Sequence, residues 1–403
     1  MLACHDGIAE TPMNSMPASQ ESIEAYRRRF GRAPRWAASA PGRVNLIGEH
    51  TDYNEGLVLP MAVDRRTHVL AATASGNAST IASATLGRAI EIDLSAPFEP
   101  LPRDRPGAFA NYVLGVVHEF ARLGHRAPNL DLLIDSDVPV GAGLSSSAAL
   151  EVATATLLEA ILTVRLAPME KVRLCHRAEH AFPGTPCGIM DMYIATCATE
   201  GHALLIDCRT NEAAPIPLPP PDAAAVLVVD TGVRHELAAS EYAERRATCE
   251  AAAKAIGVPA LRDATLEMLR WHELAETPMK RAVHVITENS RTLLAAKALM
   301  QRDLTTFGDL LFDGHASLRE MFAVSCPELD AVVDAAKTLK GRGVFGARMT
   351  GAGFGGCAIV MCEAAAAGEV AAHVSRAFQK EFGRAPECFV TGAAAGARQE
   401  AIE

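Results

Sequence analysis

Three stretches of the chain hold side chains whose types and spacing suit chemistry. Between Pro41 and Tyr53, the residues Arg43, Asn45, Glu49, His50, Thr51 and Asp52 stand in an otherwise apolar frame. Carboxylates accept hydrogen bonds from hydroxyl groups, and an imidazole donates or accepts them, so this set suits a polyhydroxylated ligand. A surface turn with solvated charges would hold the same residues. A cation site from Glu49, His50 and Asp52 lacks the spacing of a known ligand set. The second stretch is Gly141-Ala142-Gly143-Leu144-Ser145-Ser146-Ser147. Its glycines permit close backbone approach, and its hydroxyls cap a following helix whose free N–H groups and positive dipole end face one point. That is an anion cradle or a plain helix cap. The third stretch, Cys187-Gly188-Ile189-Met190-Asp191, ends on a carboxylate opening a short helix. Asp191 is either an N-cap or a functional acid, and Glu179, near the end of the preceding helix, is either a solvated face residue or a metal ligand.

Two negative results narrow the field. No G-x-x-x-x-G-K-[ST] occurs, which excludes a P-loop NTPase. Gly351, Gly353 and Gly356 fit G-x-G-x-x-G, but they lead into the apolar strand Cys357–Cys362 instead of opening a helix, so the dinucleotide-binding context is missing. Alone, that segment reads as a Gly-rich hairpin or bulge.

The elements that must position these groups follow from periodicity. Strands are expected at Val44–Ile47, Leu57–Met61, Thr67–Ala72, Ala89–Leu94, Leu130–Ile134, His202–Asp207, Ala225–Asp230, Val344–Met349, Cys357–Cys362 and near Glu387–Val390. Helices are expected over Phe109–Leu123, after Ser147, over Met169–Phe182, and at about 239–256, 279–300, 303–322 and 327–339. Residues 1–20 read as a loose extension. The proline-rich run Pro215 to Pro221 marks a connection between domains 21–215 and 216–403. With 403 residues, 49% apolar and 21% charged, the chain is an ordinary globular protein, and α+β layers are expected in each half. A net charge of −10 is the wrong sign for a nucleic-acid partner, so any phosphate must be held by local devices. There is no secretory signal pattern and no membrane span. Ten scattered cysteines without a C-x-x-C pair point to reduced thiols in a cytoplasmic protein.

Taken together, Gly42 to Tyr53, Val138 to Ala148 and Arg348 to Cys357 resemble, in order, the three motifs of the GHMP small-molecule kinases. Within that family G-R-V-N-L-I-G-E-H-T-D-Y is similar to the galactose-phosphorylating branch. Cys187 to Asp191, Ser240-Glu241-Tyr242 with Arg245-Arg246, and Val324 to Asp330 agree, so the resemblance spans about residues 25 to 395. It implies a two-domain GHMP-kinase fold with a mixed sheet and helices in each lobe and the active site in the cleft between them. It also implies phosphorylation of galactose at its C1 hydroxyl by MgATP, giving galactose 1-phosphate and ADP at the start of galactose catabolism. Galactose and ATP are then the partners of a monomeric cytoplasmic enzyme. By motif, Asp191 resembles the catalytic base and Arg43 the residue that stabilises the base's charge and the transferring phosphoryl group. Glu49, His50, Thr51, Asp52, Gly188 and Tyr242 resemble the sugar-binding set. Gly141, Ala142, Gly143, Leu144, Ser145, Ser146 and Ser147 resemble the ATP-phosphate cradle, with Ser147 and Glu179 as Mg²⁺ ligands. The Gly351–Gly356 loop then resembles a backbone element closing over the cleft.

Two positions depart from the family pattern. Met192 follows Asp191 where Gln is usual, which bears on the hydrogen-bonding shell of the base, and Ala352 replaces a frequent glycine. Sensor relatives that bind sugar and ATP without turnover lose residues from the Ser-Ala part of the second motif, whereas Ser145-Ser146-Ser147-Ala148-Ala149 is complete here. The hydrogen-bonding Glu49–Asp52 cluster favours a sugar over an aliphatic acceptor such as mevalonate or homoserine. Galactose over N-acetylgalactosamine rests on the resemblance alone.

Overall fold

The cleft region is built where two mixed layers meet. The computed structural model describes residues 18–234 and 238–402. Residues 1–17 of the expected extension lie outside the described residues, while Ser19 caps the first helix by accepting from the Ser22 N–H. The first half runs α1 (Gln20–Phe30), β1 (Trp36–Asn45), β2 (Leu57–Val58), β3 (Pro60–Thr73), β4 (Ser79–Ser83), β5 (Arg88–Ile92), α2 (Asn111–Arg122), β6 (Leu130–Ser136), α3 (Ser146–Leu162), α4 (Pro168–Ala181), α5 (Met190–Cys197), β7 (His202–Asp207) and β8 (Glu212–Pro217). The second half runs β9 (Ala224–Asp230), α6 (Ala238–Ile256), α7 (Leu266–Leu269), α8 (Glu276–Met300), α9 (Leu304–Ser317), α10 (Pro327–Lys337), β10 (Val344–Met349), β11 (Cys357–Glu363), α11 (Ala367–Phe382), β12 (Glu387–Thr391) and β13 (Arg398–Glu400). No described helix is long and apolar enough to cross a membrane.

Three sheets result: β13-β1-β3-β6-β4-β5, β10-β11-β9-β12 and β2-β7-β8. One face of the first sheet is covered by α2, α3, α4 and α5 around Val116, Phe120, Leu157 and Ile194, and the other by α1 through Ile23 and Tyr26. A second core gathers Leu227, Val332, Val360 and Phe378 under the helices of the other half. The third core mixes the halves: Val44, Leu46 and Met61 pack with Val228, Leu299, Phe307 and Ile359. Burial of that apolar surface, at about 25 cal/mol per Å², holds the two layers in one arrangement and so fixes the cleft between them.

Several element bounds differ from expectation for identifiable reasons. The strand expected at Val44–Ile47 is the end of β1, which begins at Trp36. Both of its faces are covered, so small buried residues replace the alternation that marks a half-exposed strand. A register shift between Pro41 and Arg43 interrupts its pairing with β3, and such a bulge re-aims the side chains beside it. The start of the proline-rich run is not a linker: Pro215 and Pro217 lie in β8, an edge strand, where a missing N–H costs no ladder bond. The helix expected to reach residue 322 ends at Ser317, and Leu318–Phe322 continues as a π-type turn. Finally β13 returns to pair with β1, so the last strand of the chain belongs to the first sheet.

Candidate active site

The three motifs converge on one cavity of about 280 Å³ between the layers. Its walls include Arg43, Glu49 and Asp52 from the first motif, Gly141, Gly143 and Ser145–Ser147 from the second, and Gly351 and Ala352 from the third. His50, Glu179, Cys187, Gly188, Asp191 and Tyr242 also line it. Backbone contacts knit the motifs together. A Cβ on Gly351, whose φ is +85°, would lie 2.8 Å from the Gly143 carbonyl oxygen, so only glycine allows this approach. The Asn45 N–H donates to the Thr350 hydroxyl at 2.8 Å, and that hydroxyl donates to the Asn45 carbonyl at 3.0 Å. The Gly351–Gly356 segment is thus both the connection between antiparallel β10 and β11 and part of the cavity wall. Ala352 is not among the residues with left-handed backbone, so its Cβ adds no strain.

At the floor, Arg43 grips Asp191 with two parallel bonds, Nε to Oδ1 at 2.8 Å and Nη2 to Oδ2 at 3.0 Å. Its Nη1 also donates to the Gly143 carbonyl. Ser145 occupies the N-cap position of α3 in left-handed backbone (φ 56°), but its hydroxyl makes no cap bond and donates to Asp191 Oδ2 at 2.6 Å. The expected hydroxyl cap is therefore absent at Ser145, which leaves the first N–H groups of α3 for another acceptor. Asp191 opens α5 but is held as a polar group of the cavity. Met192 points into the first core, fully buried, so it takes no part in the hydrogen bonding of Asp191.

The sugar corner expected from Glu49 to Asp52 divides by role. Glu49 is buried and bound by Arg348, which also donates to Glu288 Oε1 at 2.7 Å. Burial pushes the Glu49 carboxyl up to about 8 despite that guanidinium. For Glu288, burial acts the same way, but Arg348 and Arg291 together outweigh it and hold its carboxyl well below the usual range. Glu49 Oε1 has no hydrogen-bond partner. His50, with φ +63°, accepts from the Tyr53 hydroxyl at Nδ1 (2.9 Å) and lies 3.0 Å from the Ala352 carbonyl at Nε2. A carbonyl only accepts, so Nε2 carries the proton; burial pushes the ring down to about 3 and it is neutral. Both of its nitrogens are thus occupied within the protein. Asp52 packs against Gly188 so closely that a Cβ there would lie 1.7 Å from Oδ2. Burial, reinforced by nearby Asp191, pushes the Asp52 carboxyl up to about 6. Tyr242 stands edge-on to Tyr53, with ring centroids 5.2 Å apart.

Thr51 corrects the expected set. Its fully buried hydroxyl lies 2.7 Å from both the Gly48 and Leu57 carbonyls, closing the loop from beneath, and it is not part of the cavity wall. Ala142 and Leu144 are likewise core side chains that contribute only backbone to the second motif. Ser147 and Glu179 face one another across the cradle, and the Ser147 hydroxyl hydrogen-bonds the carboxylate. Burial pushes Glu179 up to about 7, against that bond and with Asp191 adding to the rise. A hydroxyl and an under-compensated carboxylate, both oxygen donors, fit a hard divalent cation.

Arg348, Glu288 and His284 had no expected role. His284 donates from Nε2 to the Glu49 backbone carbonyl at 3.2 Å and lies on α8 one turn before Glu288. The available signals were a lone arginine inside the apolar stretch Val344–Met349 and an imidazole–carboxylate pair at i, i+4 on a helix face.

Comparison with known proteins adds independent findings. Residues 24–73 match the galactokinase galactose-binding signature, 111–199 the GHMP kinases N terminal domain and 295–380 the GHMP kinases C terminal family. Galactokinase from Homo sapiens is 43% identical over 383 residues, covering 94% of this chain and 95% of that protein. Galactokinase from Chloroflexus aggregans is 43% identical, covering 92% and 95%. The crystal structure of Lactococcus lactis galactokinase complexed with galactose superimposes with a TM-score of 0.85 at 31% identity, covering 94% of this chain and 98% of that one.

Proposed function

The chain belongs to the galactokinase family of the GHMP kinases and phosphorylates galactose with ATP; we propose that the acceptor is the C1 hydroxyl and that Asp191 is the base. The observation that carries this reading is the bidentate Arg43–Asp191 pair opening onto the same cavity as the acidic corner and the Gly141–Ser147 loop. Asp191 accepts the proton of the hydroxyl as its oxygen bonds to the γ-phosphorus, while the bond from that phosphorus to the β–γ bridging oxygen breaks and ADP leaves. Arg43 and the Ser145 hydroxyl hold that carboxylate aimed at the hydroxyl, and Arg43 meets the charge that develops on the transferring group. The unpartnered Glu49 Oε1 and the carboxylate of Asp52 accept sugar hydroxyls, with Tyr242 and the Gly188 backbone closing the subsite. His50 braces that subsite, since its nitrogens already bridge Tyr53 and Ala352.

The N–H groups at the start of α3 receive the nucleotide phosphates, which explains how a chain of net charge −10 binds a polyanion. Ser147 and Glu179 would hold Mg²⁺, which neutralises phosphate charge when bound. The halves before and after the end of β8 supply the two walls of a monomer's cleft, with β13 lent back to the first sheet. A cytoplasmic location agrees with cysteines that are free throughout the described residues.

A coupled ADP-release assay across galactose, glucose, N-acetylgalactosamine, mevalonate and homoserine tests the reading. Turnover is expected with galactose and only with Mg²⁺ present. No signal with galactose overturns it.

A further inference from the structure

One cluster next to the cleft has no part in the chemistry above. His176 and His180 lie one turn apart on α4, on one face, with ring centroids 4.4 Å apart. Both reach toward Cys187 on the segment that joins α4 to α5. Their Nε2 atoms lie 3.2 and 3.0 Å from its carbonyl oxygen. A ring nitrogen of each histidine and the Cys187 thiol lie within 4.8 Å of one another.

Two imidazoles and a thiol are the donors a borderline-soft cation selects, and a hard cation such as Mg²⁺ avoids. Ideal tetrahedral Zn²⁺ sites, with Zn–N about 2.0–2.1 Å and Zn–S about 2.3 Å, place their ligand atoms roughly 3.3–3.7 Å apart. The cluster must therefore contract by about 1 Å, which the exposed His180 can supply by a rotamer change. That exposure also provides a route in from solvent. Glu179 Oε2 lies 3.4 Å from the Cys187 sulfur, and negative charge that close favours a cation at this position.

We propose that His176, His180 and Cys187 form a binding site for a Zn²⁺-type cation, and that its occupancy weakens galactose binding by displacing the Cys187–Gly188 segment. As the Zn–S bond forms, the thiol proton passes to water and no oxidation state changes. The Cys187 thiol, which donates to Glu179 Oε2 at 3.4 Å, is drawn away from the cleft. Gly188 moves with it. Because Asp52 packs against Gly188 with no room for even a Cβ, a small shift there displaces the acidic corner.

The test titrates the full chain with Zn²⁺ against a chromophoric chelator in excess Mg²⁺. The expected result is one bound Zn²⁺ per chain. The paired change His176→Ala with His180→Ala should lower the affinity about 100-fold. His180→Gln alone, at an exposed position, should lower it in the same direction with an unchanged far-UV spectrum. Glu179→Gln should retain binding, which separates this site from the cleft's own cation site. Equal Zn²⁺ affinity in wild type and in the His176/His180 variant, or loss of binding in Glu179→Gln, overturns the site.

The effect on the sugar rests on the galactokinase reading and is measured separately. Zn²⁺ should raise the KM for galactose about tenfold in wild type and leave the His176/His180 variant at its own Zn²⁺-free value. Binding without a change in KM overturns the claimed displacement. Absence of galactose turnover in Zn²⁺-free wild type would count against the kinase reading, and the chelator titration would still decide the site.

Discussion

Two arginine–carboxylate assemblies flank the cavity, built from the same ions but set in different surroundings. In the pair at the floor, Asp191 keeps 22% of its side chain exposed and Arg43 7%. In the assembly behind the sugar corner, Arg348, Glu49 and Glu288 keep 0%, 1% and 0%. The first pair opens on the cavity, so a substrate hydroxyl can reach the carboxylate and exchange a proton with it. In the second only Glu49 borders the cavity, and Arg348 and Glu288 stand behind it out of reach. Its guanidinium lies between two carboxylates drawn from the first motif and from α8, and fixes where Glu49 stands. On the proposed reading, solvent access and not residue type separates the group that reacts from the groups that position.

Breaking the buried assembly should have the largest effect. Arg348→Met leaves Glu49 buried without its guanidinium partner and Glu288 with Arg291 alone, and should cost about 3–5 kcal/mol, read from the denaturant midpoint. A loss under about 1 kcal/mol would mean the triad is not structural. Arg43→Lys should act on the other side of the contrast. Lysine keeps the charge but cannot form the two parallel bonds, so kcat should fall by about 10²–10³-fold with a smaller loss of stability than Arg348→Met. Unchanged kcat would remove Arg43 from the chemistry.

The smallest effect concerns pH. The Asp52 carboxyl is raised in the folded protein to about 6, so the native state keeps that proton longer than the unfolded chain does. The stability this contributes is fully present below about pH 4 and is lost as pH rises through about 6. Unliganded wild type should therefore lose about 2 kcal/mol relative to Asp52→Asn across that window and run parallel to it above pH 7. Parallel curves throughout would show that Asp52 is not held up by burial.

Much of the exposed assembly was legible in the chain, and little of the buried one. Arg43, Asp52, Gly188 and Asp191 lie in short motifs whose local chemistry signals a site, and the fold brings those motifs to one cavity. The Arg348–Glu49–Glu288 triad joins positions 299 and 60 residues apart, and no local period records such a contact. Thr51 was misplaced because loop residues have no side-chain period, so its inward turn toward the Gly48 and Leu57 carbonyls left no trace in the spacing. The residue type and place before α3 predict a cap at Ser145, whereas the structure sends its hydroxyl to Asp191. In the fold, the amphipathic helices were clear, whereas β1 was obscured by burial on both faces and β8 by its prolines.

The most direct test of the proton-accepting role of Asp191 compares turnover with sugar binding in Asp191→Asn. Asparagine keeps the shape and the Ser145 contact but cannot take the proton. Single-turnover ADP release should fall by about 10³-fold or more, while the galactose dissociation constant, measured by calorimetry, should stay within about tenfold of wild type. Retained turnover in this variant, or loss of galactose binding in step with turnover, would contradict that role.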